Sequence, residues 1–402
     1  MNRVTETSRA VIEFFVEWNS CDCRHRDSFW AENVSMWRDC LPLDLDVRLI
    51  GKEAGDRVDV EIDPQEFHQP YAVGKRVLIR PDQFCDILAG GDTVALHPGR
   101  YYPQGLLRGV STVYPQSMAP CRYLGQEKNM LRFDLNHPLA GRPLVFNATL
   151  QRVIPVRVER GGRCEDWLET VTAGGPGMQA RADQQPSDFF SLGWAERQDE
   201  REDRLFYHAP RLVNHIDSVA EQTVAAFYGS HLRPGMRVLD FMGSWNSHLP
   251  QGLDLAGLAV LGLNEQELAQ NPLATERVVQ DVNRHAQLPF ADRRFDAVIC
   301  SMSVEYLINP HLVFRELSRV LTDNGLLLVT FSNRWFPSKA IRLWGELHEF
   351  ERMGLVLELF RECGCFADLH TWSRRGMPRP ADDAHGDLPL SDPVYLVGGR
   401  KI

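Results

Sequence analysis

Several short apolar runs in this 402-residue chain end on side chains that can bond a polar ligand. In "MRVLDFMGSWNSHLPQGLDLAGLAVLGLNE", Met236 to Glu265, the first run stops at Asp240 and the second at Asn264 and Glu265. A third, "VVQDV", reaches Asp281 and Val282, and a fourth gives way at Ser301. Carboxylates and amides at such points can hold an ammonium group, a pair of hydroxyls or the edge of a heterocycle. Gly243 and Ser244, in the turn after the first run, are small enough to let backbone approach a ligand. In an open α/β sheet, ligands lie outside the carboxyl ends of neighbouring strands, where loops and helix N-termini converge. The polar tips are therefore the candidate contacts.

The elements that must position them follow from spacing. Strands are predicted at 237–240, 258–263, 297–300 and 326–331, with a helix through Val313, Leu317, Val320 and Leu321 and a turn at Asn324-Gly325. Strands alternating with helices imply a parallel sheet with right-handed crossovers. Upstream, Ile216, Ala220, Val224 and Phe227 have amphipathic helical spacing that ends before Arg233-Pro234-Gly235. Tyr207, Arg211 and His215 are four apart and would share one helical face, with Pro210 between them. After Phe331 come a helix or two, a strand near 367–372 and an apolar last strand in "DPVYLVGGRK".

With "VLDFMGS", "VLGLNE", "QD", "LPFADRRFDAV" and "RELSRVLTDNGLLLVTF" in that order, the chain from about Arg201 onward resembles the class I S-adenosylmethionine-dependent methyltransferases of the type 11 group. The resemblance implies a Rossmann-like α/β domain with a seven-stranded sheet and S-adenosyl-L-methionine as cofactor. It assigns Asp240 to the methionine ammonium, Gly243 and Ser244 to close backbone approach, Asn264 with Glu265 to the ribose hydroxyls, and Asp281 with Val282 to the adenine. Ser301 lines the same crevice, and Tyr207, Arg211 and His215 cover it. The first loop departs from the family's glycine triad: Met242, Trp245 and Asn246 stand where small residues are usual.

Methyl transfer is an in-line displacement, so alignment and exclusion of water carry most of the catalysis, and a base helps when the acceptor loses a proton. His215 and His248 are the candidate bases, and Tyr306 is a third acceptor-side candidate. Trp245 and Asn333-Arg334 also fall near strand ends. Asp296 opens a strand and reads as structural.

The first half reads as mostly β. A strand at 9–18 is followed by a polar, Trp-punctuated stretch to Cys40, then by a short helix, a Gly55-Asp56 turn and a second strand. Further strands are expected at 75–79, 93–97, 109–113, 121–124 and 129–134, with a long one after Pro143, broken near Pro155. "LIGKEAGDRVDVEI" and "FDLNHPLAGRPLVFNATLQRV" resemble core segments of the SlyD-like FKBP-type prolyl isomerases, with room for a flap insert between them. The family's pocket tyrosine falls at His68, near Phe67 and Tyr71. Residues 1–158 are thus expected to form an FKBP-like domain, 159–200 a Gly-, Pro- and charge-rich linker, and 201–402 the methyltransferase-like domain.

A net charge of −10 argues against nucleic acid as the main partner. No signal peptide or membrane span is read, which places the protein in the cytoplasm as an expectation. Nine cysteines fit free thiols rather than a disulfide framework, and neither Cys21/Cys23 nor Cys363/Cys365 has partners at metal-site spacing. Three functions stay open at this point: a small-molecule methyltransferase, a folding or binding protein with a degenerate methyltransferase half, and a protein methyltransferase fed by the FKBP-like half.

Overall fold

Loose alternation of apolar and polar side chains, clearest at residues 57–62, sends much of the first half of the chain into antiparallel strands, and longer apolar runs send the second half into a buried, largely parallel sheet. The computed structural model describes residues 3–86, 93–154, 161–384 and 386–402. The chain divides into two units: residues 1–21, 31–192 and 347–355 form the first, and residues 22–30, 193–346 and 356–402 the second.

The first unit holds β1 (Arg9–Asn19), the latter part of β2 (Cys23–Ser35), α1 (Leu45–Leu49), β3 (Arg57–Ile62), β4 (Arg76–Ile79), β5 (Tyr101–Pro103), β6 (Pro120–Glu127), β7 (Met130–Asp134), β8 (Leu144–Ile154) and α2 (Trp167–Ala173). Both β1 and β3 pair antiparallel with β8. The stretch between β3 and β8, where an insert was expected, folds as a separate sheet in the order β4-β7-β6-β5. Its own core gathers Ile79, Tyr102, Cys121, Tyr123 and Phe133. Residues 93–97 and 109–113 do not form the expected strands, whereas the polar stretch before Cys40 does form one, β2. In β2 the apolar surface is interleaved with His25, Asp27 and Ser28, which are buried, so hydrophobic alternation was a poor guide. Pro155 and residues 156–160 lie outside the described residues.

The expected linker is ordered where it is described. Asp166 caps α2 by accepting from the Glu169 N–H at 3.0 Å, and Trp167, Leu168 and Val171 are buried. The Trp167 ring lies 5.5 Å from Phe14, and its indole donates to Asp39 at 3.0 Å. An N-cap followed by a short apolar stripe outweighs the Gly- and Pro-rich flanks.

The second unit contains α3 (Asp203–Phe206), α4 (Ser218–His231), β9 (Arg237–Phe241), β10 (Gly257–Gly262), α5 (Glu265–Gln270), β11 (Glu276–Val279), β12 (Phe295–Ser301), α6 (Pro310–Val320), β13 (Leu321–Ser332), α7 (Arg342–Glu346), the latter part of α8 (Glu349–Cys363), β14 (Phe366–Arg375) and β15 (Val394–Lys401). Its sheet runs β11-β10-β9-β12-β13-β15-β14; the first five strands are mutually parallel, and β15 is antiparallel to both neighbours. An eighth strand joins it, because residues 23–29 of β2 pair in parallel with β14. Among the described residues, no helix is long and apolar enough to cross a membrane.

One sequence expectation fails near the site. Tyr207, Arg211 and His215 do not share a helical face, because α3 ends at Phe206 and residues 207–215 are irregular. Pro210 lacks the N–H a helix would need and disfavours helical backbone at the residue before it.

Candidate functional site

The cleft of the second unit opens at the carboxyl ends of β9, β10 and β12. Its wall includes Tyr207, Arg211, His215, Asp240, Gly243, Ser244, Trp245, His248, Asn264, Asp281, Val282, Ser301 and Tyr306. Irregular segments, rather than a covering helix, bring the first three to it.

The turn after β9 is held tightly against β10. Met242 takes a left-handed backbone, φ 56°, the Gly243 N–H donates to the Leu261 carbonyl at 2.9 Å, and the Ser303 hydroxyl donates to the Met242 carbonyl at 3.2 Å. A Cβ on Gly243 would lie 2.4 Å from an Asp240 carboxylate oxygen, and one on Gly262 would lie 2.3 Å from the Gly243 carbonyl. Glycine is required at both places by close approach. Gly262 supplies the gap in β10 into which the turn packs.

Asp240 is 1% exposed, and neither carboxylate oxygen makes a hydrogen bond. Burial pushes its carboxyl up to about 7, against the opposing effect of the nearby Ser247 hydroxyl. A buried acid with only the Ser247 hydroxyl acting on it, lining a cleft, is poised for a cation.

Asn264 has a different task from the one its position implied. Its Oδ1 caps α5, accepting from Gln266 N–H at 2.9 Å and Glu267 N–H at 3.1 Å. Its Nδ2 donates to the carbonyls of Tyr207, 2.9 Å, and His208, 3.1 Å. Both donors and both acceptor positions are used, so nothing remains for a ribose. Glu265 is exposed and does not line the cleft. The carboxylate that does is Glu267, which accepts from the Arg211 N–H at 2.7 Å and the Ser244 hydroxyl at 2.6 Å. Its place three residues after an N-cap asparagine is capping-box spacing, a signal that could have found it.

Asp281 accepts from the Asn283 N–H at 3.1 Å, and Val282 beside it is buried. Ser301 bonds the Tyr228 hydroxyl at 2.6 Å. The Tyr306 hydroxyl accepts from the Phe336 N–H at 2.9 Å, and burial together with Glu305 holds its pKa well above the ordinary value. Tyr306 therefore stays protonated and is no base at neutral pH. His248 is pushed down to about 4 by burial and by His215, and His215 is lowered by burial and Arg211. Both imidazoles favour the neutral form near pH 7, and His248 Nδ1 lies 3.5 Å from the Glu221 carboxylate. Asn333 and Arg334 do not line the cleft; Phe336 and Asp203, which the sequence reading did not single out, do. Asp296 accepts from the Arg237 N–H at 2.8 Å and joins β12 to β9, a structural role as expected.

Residues 252–329 match the family model of a methyltransferase domain. The matched segment covers β10 to most of β13, including Asn264, Glu267, Asp281 and Ser301. Comparison with curated proteins gives no match. Among solved structures, a putative methyltransferase from Bacillus halodurans is similar at 15% identity over 46% of this chain and 99% of its own, with a TM-score of 0.32. A possible histamine N-methyltransferase from Thermotoga maritima aligns at 13% over 46% and 90%, TM-score 0.33. An S-adenosylmethionine-dependent methyltransferase from Archaeoglobus fulgidus aligns at 12% over 45% and 92%, TM-score 0.33.

Proposed function

We propose that the second unit transfers a methyl group from S-adenosyl-L-methionine to a small-molecule acceptor. The observation that carries this reading is the buried Asp240 carboxylate, with neither oxygen hydrogen-bonded, beside the glycine-tight approach of Gly243 to Gly262. The residues present fit the cofactor: Asp240 for the ammonium, the 243–244 backbone for the methionine part, Glu267 in place of Asn264 and Glu265 for the ribose, and Asp281 with Val282 for the adenine. When bound, the cofactor supplies a methyl group on a sulfonium. The chain's own contribution is to orient the two reactants and keep water out with Tyr207, Arg211, Trp245 and Phe336, while His248 or His215 takes a proton from the acceptor. The net charge of −10 supports a small molecule over a nucleic acid. The first unit is read as an accessory FKBP-like binding unit on the two segments that resemble the SlyD-like isomerases.

Calorimetric titration of the full chain with S-adenosylmethionine tests the core of the proposal. Saturable binding that weakens about tenfold or more in Asp240→Ala is expected. Heats that do not change with Asp240→Ala would remove the site as described. Incubation of a cell extract with methyl-labelled cofactor tests the acceptor: label is expected in the low-mass fraction, and label confined to protein would overturn the small-molecule assignment.

A further inference from the structure

A second cleft lies wholly within the first unit. It encloses about 650 Å3 and is lined by Arg76, Arg122, Arg142 and Arg181 together with Tyr71 and Tyr101. That volume falls in the range of small-ligand pockets. In a chain of net charge −10, four guanidinium groups around one cavity run against the overall balance.

Asp134 and Asp183 are the acidic side chains of the wall, and Arg76 engages both, at 3.0 and 2.9 Å. Arg122 is buried and spends its bonds on the carbonyls of Gly99 and Ala180; among the described residues no carboxylate is hydrogen-bonded to it, and the buried Glu351 acts on it through charge alone. It also lies 4.4 Å over the Tyr101 ring. Arg142 is the telling residue. Among the described residues its guanidinium forms neither an ion pair nor a hydrogen bond; it rests 5.2 Å over the ring of buried Trp18. Its planar face is satisfied by that ring while its five N–H donors are left for the cleft. Burial disfavours its charge, and Arg122 adds to that effect. Neither Arg142 nor Arg122 has a carboxylate hydrogen-bonded to it among the described residues, so an anion in the cleft would relieve the two like charges.

We propose that this cleft binds an oxyanion, a carboxylate or phosphate carried by a small molecule, with Arg142 as the principal contact and Arg122 as its neighbour in charge. Guanidinium forks match both groups with paired donors, and the tyrosine faces offer an apolar bed for the rest of the ligand. The site is independent of the methyl-transfer reading, because every residue named lies outside the second unit.

The probes are inorganic phosphate and citrate, titrated into the full chain at constant ionic strength with potassium chloride as reference. Fluorescence assigned to Trp18 through Trp18→Phe reports on the site, since Arg142 covers that ring. A saturable change with citrate or phosphate, beyond that with chloride, is expected. Arg142→Gln should weaken it about tenfold or more, and Arg142→Lys should restore part of it. Saturation by citrate alone marks a carboxylate site, and saturation by phosphate alone marks a phosphate site. A response no different from chloride in the unaltered chain overturns the proposal, and so does an unchanged midpoint in a folded Arg142→Gln variant.

Discussion

At the level of single residues, Asp240 is the group whose chemistry departs furthest from its free state. Burial pushes its carboxyl up to about 7, so the folded chain holds a proton that an unfolded chain would release near pH 4. For an acid raised on folding, stability is greatest below the unfolded value and falls as pH climbs to about 7. A bound cation reverses the preference. Affinity for S-adenosylmethionine is therefore expected to rise between pH 5.5 and 7, by up to about tenfold per pH unit, and to level off above. Calorimetry across that range should find the slope absent in Asp240→Asn; a slope that persists there would assign it to another group. The glycines give a second expectation. Gly262→Ala places a methyl against the Gly243 carbonyl, and a loss of about 1–3 kcal/mol in urea unfolding is expected. Asp240 and Gly243 were legible in the sequence, because strand ends and small turn residues are marked by pattern. Glu267 was not, since only folding shows that Asn264 has exhausted its bonds on α5 and on residues 207–208.

At the level of elements, the segment over the cleft is held by charge rather than by helix. Lys339 is fully buried and donates to the carbonyls of Asp199, 3.1 Å, and Arg201, 2.7 Å; its ammonium lies 3.2 Å from Asp203. Asp203 also meets Arg197 at 2.8 Å and accepts from the Asn283 amide at 2.9 Å. Removing one member of a buried charged set strands the others, at a cost of about 3–5 kcal/mol. Lys339→Met is expected to free this segment locally. Trypsin should then cut faster after Arg201 and Arg204, whose side chains are already exposed, and mass spectrometry of the fragments would show it. Equal cleavage rates in the two proteins would show that the segment is held otherwise. Helical spacing of Tyr207, Arg211 and His215 gave the wrong conformation and the right neighbourhood: long-range ion pairs and Pro210 set the path.

At the level of the whole molecule, the boundary drawn at residue 201 cuts through the second unit's sheet. Residues 23–29 lie along β14, where His25 bonds Thr371 at 2.8 Å, Ser28 donates to the Ser373 carbonyl at 2.9 Å, and Ser373 donates to Asp27 at 3.0 Å. Asp22 and Arg361 add an ion pair. A fragment of residues 201–402 lacks this strand and leaves β14 as an open edge. It is expected to unfold at lower urea than the full chain and to self-associate on size-exclusion chromatography. A monomeric fragment with unchanged unfolding would mean that the eighth strand contributes little.

Local pattern determined most of the second unit by itself: the order of strands and helices, the polar tips at 240, 264 and 281, and the glycine after β9 all follow from periodicities and turn chemistry that act over a few residues. What only tertiary structure decided was pairing across long separations. A polar strand near the start of the chain completes a sheet built from its end, an expected linker packs as a capped helix, and an asparagine at a ligand position is consumed by its neighbours while a glutamate three residues on faces the cleft. Hydrogen-bond partners and burial are properties of residues brought together from far apart, and no local periodicity records them.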